Sequence, residues 1–257
     1  MPNDAPATNA HPLDDALREI DPLGALAALI VERRLDRPLV VGLGGSVAVG
    51  KSTTAGHLAA ALRARDESLA IEVVSTDGFL LPNARLDELG LSIEKGSPRT
   101  YDLAALDAFI AAVQRGDTGL VVPAYSHLIY DVAPGTHVVD APDVVVLEGL
   151  NVVTVDRGVV DLVDLSLYLH ADPADVLAWF VERFMRLRAE AVGNPSAFFH
   201  QFVALDDDDA RAFAHWTWTE INLPVFDEHV APARALADVV IEKGPDHRVT
   251  RVSPASG

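Results

Sequence analysis

Apolar residues in this chain form two alternating kinds of segment, short continuous runs and longer stretches with helical spacing. Short runs rich in valine, leucine and isoleucine occupy residues 39–43, 71–75, 144–147 and 163–169, and such runs are typical of strands buried in a sheet. Longer segments predict helices over about residues 22–35, 51–65 and 102–116 and from about residue 173 onward. Strands that alternate with helices predict an α/β fold, with a mostly parallel central sheet and helices on both faces.

Two further segments are less regular. Residues 121–130 have the composition of a strand around Pro123. The acidic run 206–209 is expected to open a helix that continues through Trp216 and Trp218, because acidic side chains stabilise a helix N-terminus. We therefore assign this run to helix capping and not to metal binding.

The two ends of the chain differ from its middle. Residues 1–12 are small, polar and rich in proline, which predicts a disordered leader. Residues 253–257 are expected to form a short tail. No repeat or linker interrupts the intervening sequence, so residues 13–252 are predicted to form a single domain.

The composition is strongly acidic, with 38 Asp and Glu against 20 Lys and Arg and a net charge of −18. Such a surface repels nucleic-acid backbones and anionic membranes, so an anionic ligand needs a local cationic site. The absence of cysteine excludes disulfides and thiolate chemistry. The longest apolar run, residues 23–31, is too short to span a bilayer, and the N-terminus lacks a signal-peptide pattern. We expect a soluble, cytoplasmic protein.

A phosphate-binding motif supplies the required cationic site. The pattern G-x-x-x-x-G-K-S lies directly between a predicted strand and a predicted helix, the context in which backbone N–H groups and a helix N-terminus bind phosphate. In this motif the lysine reaches the transferred phosphoryl group and the serine hydroxyl can ligate Mg²⁺. The predicted nucleotide-binding residues are Gly45, Ser46, Val47, Ala48, Val49, Gly50, Lys51, Ser52 and Thr53.

Two carboxylates follow predicted strands. Asp77 comes after the strand at residues 71–75, at an edge where ligands of open α/β sheets bind. A carboxylate there can accept a proton from a hydroxyl that attacks a phosphate, although a solvated turn aspartate gives the same pattern. Glu148 follows the strand at residues 144–147. It is a candidate Mg²⁺ ligand, and a strand-end capping acid is the alternative.

Four sequence blocks together resemble one family. The blocks GSVAVGKSTT (45–54), STDGFLLPN (75–83), YSHLIYD (125–131) and LEGLNV (147–152) are similar to those of the bacterial type I pantothenate kinases. The resemblance covers about residues 39–252. It implies a P-loop NTPase-type three-layer sandwich of the phosphoribulokinase and uridine kinase class. The implied reaction is Mg²⁺- and ATP-dependent phosphorylation of the primary hydroxyl of pantothenate, the first step of coenzyme A synthesis.

The resemblance also implies roles for individual residues. Asp77 corresponds to the base, Lys51 with Ser52 to the phosphate and magnesium site, and Arg183 to an arginine that stabilises the transferring charge. Lys243 and His247 match residues at the adenine end of the nucleotide site. The implied substrate-binding residues, besides Asp77, are Tyr125, His127, Phe180, Phe198, Phe202 and Asn222.

The chain departs from the family at several of these positions. Phe180, Phe198 and Phe202 stand where typical members have phenolic residues, and Gly56 stands where many have an arginine linked to feedback inhibition by coenzyme A. Lys95 is an additional loop candidate, because it is one of only three lysines and lies in a family-like block. The family also implies a homodimer.

Other functions remain open on the residues alone. The phenylalanines favour a related kinase that phosphorylates a nucleoside, a sugar or another small hydroxylated metabolite. A nucleotide-binding regulator without transfer activity is a further alternative, and the combination of Asp77, Lys51 and Arg183 disfavours it.

Overall fold

The computed structural model describes residues 21–33, 35–152 and 162–255. The strands in these ranges are β1 Leu39–Gly45, β2 Ile71–Ser75, β3 Leu120–Ser126, β4 Asp131–Val139, β5 Val144–Glu148, β6 Leu165–His170, β7 Val239–Lys243 and β8 Val249–Pro254. The longer α-helices are α1 Pro22–Glu32, α2 Lys51–Arg65, α3 Asn83–Leu89, α4 Leu103–Gln114, α5 Pro173–Glu190 and α6 Asp207–Thr217. The predicted leader lies outside the described residues.

Six strands form one sheet in the order β2-β5-β1-β6-β7-β8. The first five are parallel, and β8 pairs antiparallel with β7 at one edge. Strands β3 and β4 form a separate antiparallel pair. The predicted mostly parallel sheet is therefore confirmed, and the carboxyl ends of β1, β2 and β5 lie side by side.

Helices cover both faces of this sheet. Val41 and Leu43 of β1 pack in one fully buried cluster with Leu58 of α2, whereas Val40 packs in another with Leu106 of α4. Successive side chains of a strand point to opposite faces, which explains the division. Burying one such side chain contributes about 1.5–3 kcal/mol, so the continuous apolar runs of the sequence correspond to a sheet that is covered on both sides.

A third hydrophobic cluster lies where α5 and α6 pack together, and it includes Phe184, Phe199 and Ala214. Helix α6 begins as expected, because the Asp206 side chain accepts a hydrogen bond from the Asp209 amide at 2.8 Å. Beyond α6 the chain continues through two π-helical turns, Trp218–Asn222 and Phe226–Val230. Single π-helical turns occur often at functional sites.

Four features differ from the sequence predictions. The helix expected to reach residue 35 ends at Glu32, and α3 was not predicted. The expected strand over residues 121–130 is wrong as one element, since the chain reverses through Tyr130, whose φ is 56°. Strand β8 continues to Pro254 and so includes two residues of the expected tail, because pairing with β7 satisfies their backbone groups.

Within the described ranges, no helix has both the length and the apolar character that crossing a membrane requires.

Candidate active site

The phosphate loop connects β1 to α2. Gly50 caps α2 with a φ of 91°, in the left-handed region that favours glycine. A Cβ at Gly45 would lie 2.6 Å from the carbonyl oxygen of Leu169, so only glycine allows β6 to pack this closely. The Lys51 ammonium donates to the Ser46 carbonyl at 2.8 Å. The result is a compact turn with the N-terminus of a 15-residue helix behind it, which is an anion-binding geometry.

Glu148 lies beside this loop at the end of β5. The Ser52 hydroxyl donates to Glu148 Oε1 at 2.9 Å, and Glu148 is only 5% exposed. Burial raises the pKa of Glu148, an effect that the positive charge of Lys51 opposes. Burial likewise lowers the pKa of Lys51, against the charges of Glu148 and Asp77. A hydroxyl and a carboxylate in contact are oxygen donors of the kind that Mg²⁺ binds, so these residues fit the metal that the sequence implies.

Asp77 lies in the 3₁₀ turn Thr76–Phe79 that follows β2, and its amide donates to the Ser75 hydroxyl at 3.4 Å. Gly78 lets this turn contact β3, since a Cβ there would lie 2.0 Å from the Pro123 carbonyl oxygen. Asp77 is half-buried and faces the same space as Lys51. The Tyr101 hydroxyl donates to the Asp77 carboxylate at 3.3 Å. This tyrosine is not among the site residues predicted from the sequence.

The hairpin turn between β3 and β4 carries the aromatic residues predicted to contact substrate. The Tyr125 ring lies 5.2 Å from that of His127, and Tyr130 stacks on Phe198 at 4.6 Å. Burial raises the pKa of Tyr125, while partial burial and the charge of Arg183 lower the pKa of His127. Tyr130 is not among the substrate-binding residues predicted from the sequence, although the motif YSHLIYD contains it.

Lys95 connects this hairpin turn to the start of α3. Its ammonium donates to Asn83 Oδ1 and to the Tyr130 carbonyl, both at 2.6 Å. It also lies 5.1 Å and 4.8 Å from the ring centres of Tyr125 and Tyr130. Burial lowers the pKa of Lys95, against the charges of Asp131 and Asp77. These contacts hold Tyr130 in its left-handed conformation.

The remaining predicted substrate residues lie on α5 and on the segments packed against it. Phe180 contacts Trp218 at 5.5 Å and Phe202 contacts Phe213 at 4.9 Å, as ring-centre distances. The Asn222 side-chain amide donates to the Thr217 carbonyl at 3.2 Å across a π-helical turn. Since the helix continues past Asn222, this residue is not a helix C-terminal cap.

The arginines of α5 separate into two kinds. Arg183 is half-buried and has no hydrogen bond or ion pair with the described residues. Arg186 forms an exposed ion pair with Glu190. Arg188 donates to the Phe202 carbonyl at 3.0 Å and to Asp207 at 2.8 Å, so it joins α5 to α6. Both Arg183 and Arg186 line the cavity described below, and of these two only Arg183 has no ion pair among the described residues.

Lys243 and His247 lie on the other side of the phosphate loop. The Trp179 indole stacks on the His247 ring at 4.1 Å and lies 5.1 Å from the Lys243 ammonium. Lys243 donates to the Val49 carbonyl at 2.9 Å, so it supports the phosphate loop itself. Burial lowers the pKa of Lys243.

One cavity of about 1460 Å³ connects these groups. Its walls include every site residue predicted from the sequence except Gly45, Ser46 and Val49, which lie behind the loop surface. Asp77, Lys51 and Arg183 share this cavity with the aromatic hairpin turn and the Trp179–His247 stack. A polyphosphate chain and a small hydroxylated acceptor can therefore occupy the same space.

This fold and this site are those of a P-loop kinase. The model of the Phosphoribulokinase / Uridine kinase family matches residues 40–194. Among solved structures, a D-glycerate 3-kinase from Cryptococcus neoformans has a TM-score of 0.66 and 15% identity, covering 92% of this chain and 100% of that chain. At this identity, the similarity shows the fold alone.

Two curated relatives define the family more narrowly. The pantothenate kinase of Sorangium cellulosum is 48% identical over 222 residues, which cover 84% of this chain and 72% of that protein. The pantothenate kinase of Streptomyces avermitilis is 42% identical over 242 residues, covering 90% of this chain and 74% of that protein. The chain belongs to the Phosphoribulokinase / Uridine kinase family and, within it, to the pantothenate kinases. It is an ATP-dependent kinase.

Proposed function

We propose that this chain transfers the γ-phosphoryl group of ATP to the primary hydroxyl of pantothenate. The observation that carries the proposal is the single cavity in which Asp77 faces Lys51 and Arg183, beside Tyr125 and Asn222. Two relatives, at 48% and 42% identity, are named pantothenate kinases, which supports pantothenate as the acceptor.

The proposed step is an in-line displacement. The acceptor hydroxyl oxygen forms a bond to the γ-phosphorus, the bond from that phosphorus to the β–γ bridging oxygen breaks, and ADP leaves. Asp77 accepts the proton of the hydroxyl. Lys51 and Arg183 neutralise the charge that develops on the transferring oxygens, and arginine's fixed fork suits that geometry.

Ser52 and Glu148 would hold Mg²⁺ beside the phosphate loop, since their oxygens are already in contact. A bound Mg²⁺ supplies charge neutralisation at the phosphates. His247 and Trp179 would hold the adenine end, while Tyr125, His127, Asn222 and the phenylalanines would hold the acceptor. A homodimer is proposed from the resemblance and a cytoplasmic location from the composition, and light scattering of the purified chain tests the dimer.

A coupled assay of ADP release, with ATP, Mg²⁺ and pantothenate, tests the proposal. We expect turnover with pantothenate and a fall in kcat of about 100- to 10,000-fold in Asp77→Asn, the range for loss of a general base. Asp208→Asn is the matched control, because Asp208 is an exposed acid in the first turn of α6. Its kcat should match that of the parent.

Parallel reactions with uridine, D-glycerate and fructose test the other acceptors that the apolar wall of Phe180, Phe198 and Phe202 would admit. Turnover with one of these and none with millimolar pantothenate would overturn the proposed substrate. Full activity of Asp77→Asn with pantothenate would overturn the proposed base and leave the substrate intact.

A further inference from the structure

A buried hydroxyl lies directly behind Asp77. Tyr101 is 5% exposed, and its hydroxyl donates to Asp77 Oδ1 at 3.3 Å. Within the described part of the chain, no group donates a hydrogen bond to the second carboxylate oxygen, Oδ2. The two oxygens of Asp77 are therefore in different environments: Oδ1 accepts from a buried tyrosine, and Oδ2 has no donor among the described residues.

Backbone hydrogen bonds fix Tyr101 relative to Asp77. The Leu81 amide donates to the Thr100 carbonyl at 2.8 Å, and the Asp102 amide donates to the Phe79 carbonyl at 2.7 Å. These two bonds join the segment around Tyr101 to the residues that directly follow Asp77. They hold the backbone of Tyr101 beside the turn, and its buried ring packs in the same hydrophobic cluster as Phe79, so backbone and packing together favour the contact with Asp77.

A second set of contacts supports the loop that leads to Tyr101. Asn151 is fully buried and donates to the Gly96 carbonyl at 2.9 Å. The Thr100 hydroxyl donates to the Ser97 carbonyl at 2.7 Å and accepts from the Gly96 amide at 3.1 Å. The loop before Tyr101 is thus hydrogen-bonded to Asn151 in the segment that follows Glu148, and these bonds fix the backbone that carries the tyrosine.

Tyr101 keeps its proton. Burial raises the pKa of Tyr101 well above its ordinary value of 10.0, and the negative charge of Asp77 raises it further. The tyrosine is therefore a neutral hydroxyl that donates to the carboxylate.

We propose that Tyr101 is a positioning residue for the proposed base: it holds Asp77 through Oδ1 and leaves Oδ2 for the acceptor hydroxyl. This inference rests on the proposed function, in which Asp77 accepts that proton. Tyr101 itself does not touch the reacting atoms; it acts through the carboxylate.

Other ionisable groups also face Asp77, from every element that packs around it. They are Lys51 of α2, Lys95 of the loop before Tyr101, Glu148 of β5, Arg183 of α5, and Tyr125, His127 and Tyr130 of the hairpin. Tyr101→Phe leaves all of these groups in place, so a change in kcat or in the carboxyl signal of Asp77 in that variant reports on the tyrosine hydroxyl alone.

Tyr101→Phe is the test, with Tyr168→Phe as the matched control. Both substitutions remove a hydroxyl from a buried tyrosine, and Tyr168 on β6 is 1% exposed but has no hydrogen bond to Asp77. In Tyr101→Phe we expect kcat at neutral pH to fall about 10-fold, from loss of one hydrogen bond to a charged group, with KM for ATP unchanged. Tyr168→Phe should keep the parent's kcat and KM.

The carboxyl carbon signal of Asp77, observed by NMR in ¹³C-aspartate-labelled protein and assigned by its loss in Asp77→Asn, gives a readout that needs no acceptor. At neutral pH its chemical shift should change in Tyr101→Phe, because the carboxylate loses the hydrogen bond to Oδ1, and should stay the same in Tyr168→Phe. An unchanged chemical shift in Tyr101→Phe refutes the positioning role even if pantothenate is phosphorylated. A changed chemical shift supports it even if another acceptor proves to be the substrate, which separates this inference from the proposed function.

Discussion

Gly78 allows the sharpest prediction about how the site is held together. It directly follows Asp77, and a Cβ placed on it would lie 2.0 Å from the carbonyl oxygen and 2.9 Å from the carbonyl carbon of Pro123. Ordinary van der Waals contact begins at 3.4 Å, so the turn and β3 would have to separate by about 1.4 Å. Both sides of this contact are backbone, and no rotamer change relieves it.

The expected loss of stability in Gly78→Ala follows from that overlap. Overpacking of a core costs about 1–3 kcal/mol, and a backbone-to-backbone clash belongs at the upper end of this range. For a chain of this size, 1 kcal/mol corresponds to about 2–4 °C in Tm, so Tm should fall by about 6–12 °C. Because Asp77 adjoins the displaced turn, kcat/KM should fall about 100-fold, the effect of a 1 Å misplacement.

Gly56→Ala is the matched control. Gly56 lies within α2, and a Cβ on it meets nothing within 4 Å. Alanine in a helix interior is about 0.5–1 kcal/mol more favourable than glycine, so this variant should unfold at a slightly higher temperature and keep its kcat/KM. Thermal unfolding by circular dichroism and the coupled assay measure both variants. A Gly78→Ala protein with the parent's Tm and kcat/KM would refute the close-approach argument.

Two further predictions concern a surface ion pair and the nucleotide site. Burial works to raise the pKa of Asp164, but hydrogen bonds from Arg37 and from the Val40 amide outweigh it and lower that pKa below 3.8. The stability this carboxylate contributes is therefore present above pH 3.8 and lost as pH falls through its folded pKa. Asp164→Asn should lower the free energy of unfolding at pH 7 by about 1 kcal/mol. Urea titrations measure this free energy for the parent and the variant. A difference between the two that is as large in acid as at pH 7 would contradict the argument. His247→Ala removes the ring stacked on Trp179 at 4.1 Å. It should raise KM for ATP several-fold without changing KM for pantothenate, and the reverse pattern in steady-state kinetics would contradict the assignment.

The parts of the site that the sequence predicted are local ones. The phosphate loop is a continuous segment, so its glycines, Lys51 and Ser52 carry their geometry within eight residues. Asp77 and Glu148 were found because each follows a buried parallel strand, and the carboxyl ends of such strands meet at one edge. The pairing of β2 with β5 places Ser75 opposite Glu148, which brings the two carboxylate-bearing ends together.

The parts that the sequence missed depend on the packing of distant segments. Nothing near Tyr101 indicates that its hydroxyl reaches Asp77, 24 positions earlier. No local pattern around Lys95 indicates that its ammonium donates to the carbonyl of Tyr130, 35 positions later. The sequence predicts one strand over residues 121–130, whereas the chain turns between Ser126 and Asp131. Strand-like composition is similar on both sides of a turn, so it does not mark the reversal.

Local sequence patterns thus predict the class of fold, the phosphate-binding loop and the sheet edge that carries Asp77 and Glu148, because hydrophobic periodicity and turn residues act over a few neighbouring positions. The partners of the α5 arginines, the contact of the Tyr101 hydroxyl with Asp77 and the position of the hairpin turn at the cavity emerge only when distant segments pack together. Those relations depend on distances between segments far apart in the chain, which are set by the packing of helices and hairpin against the sheet and are not encoded in any local pattern.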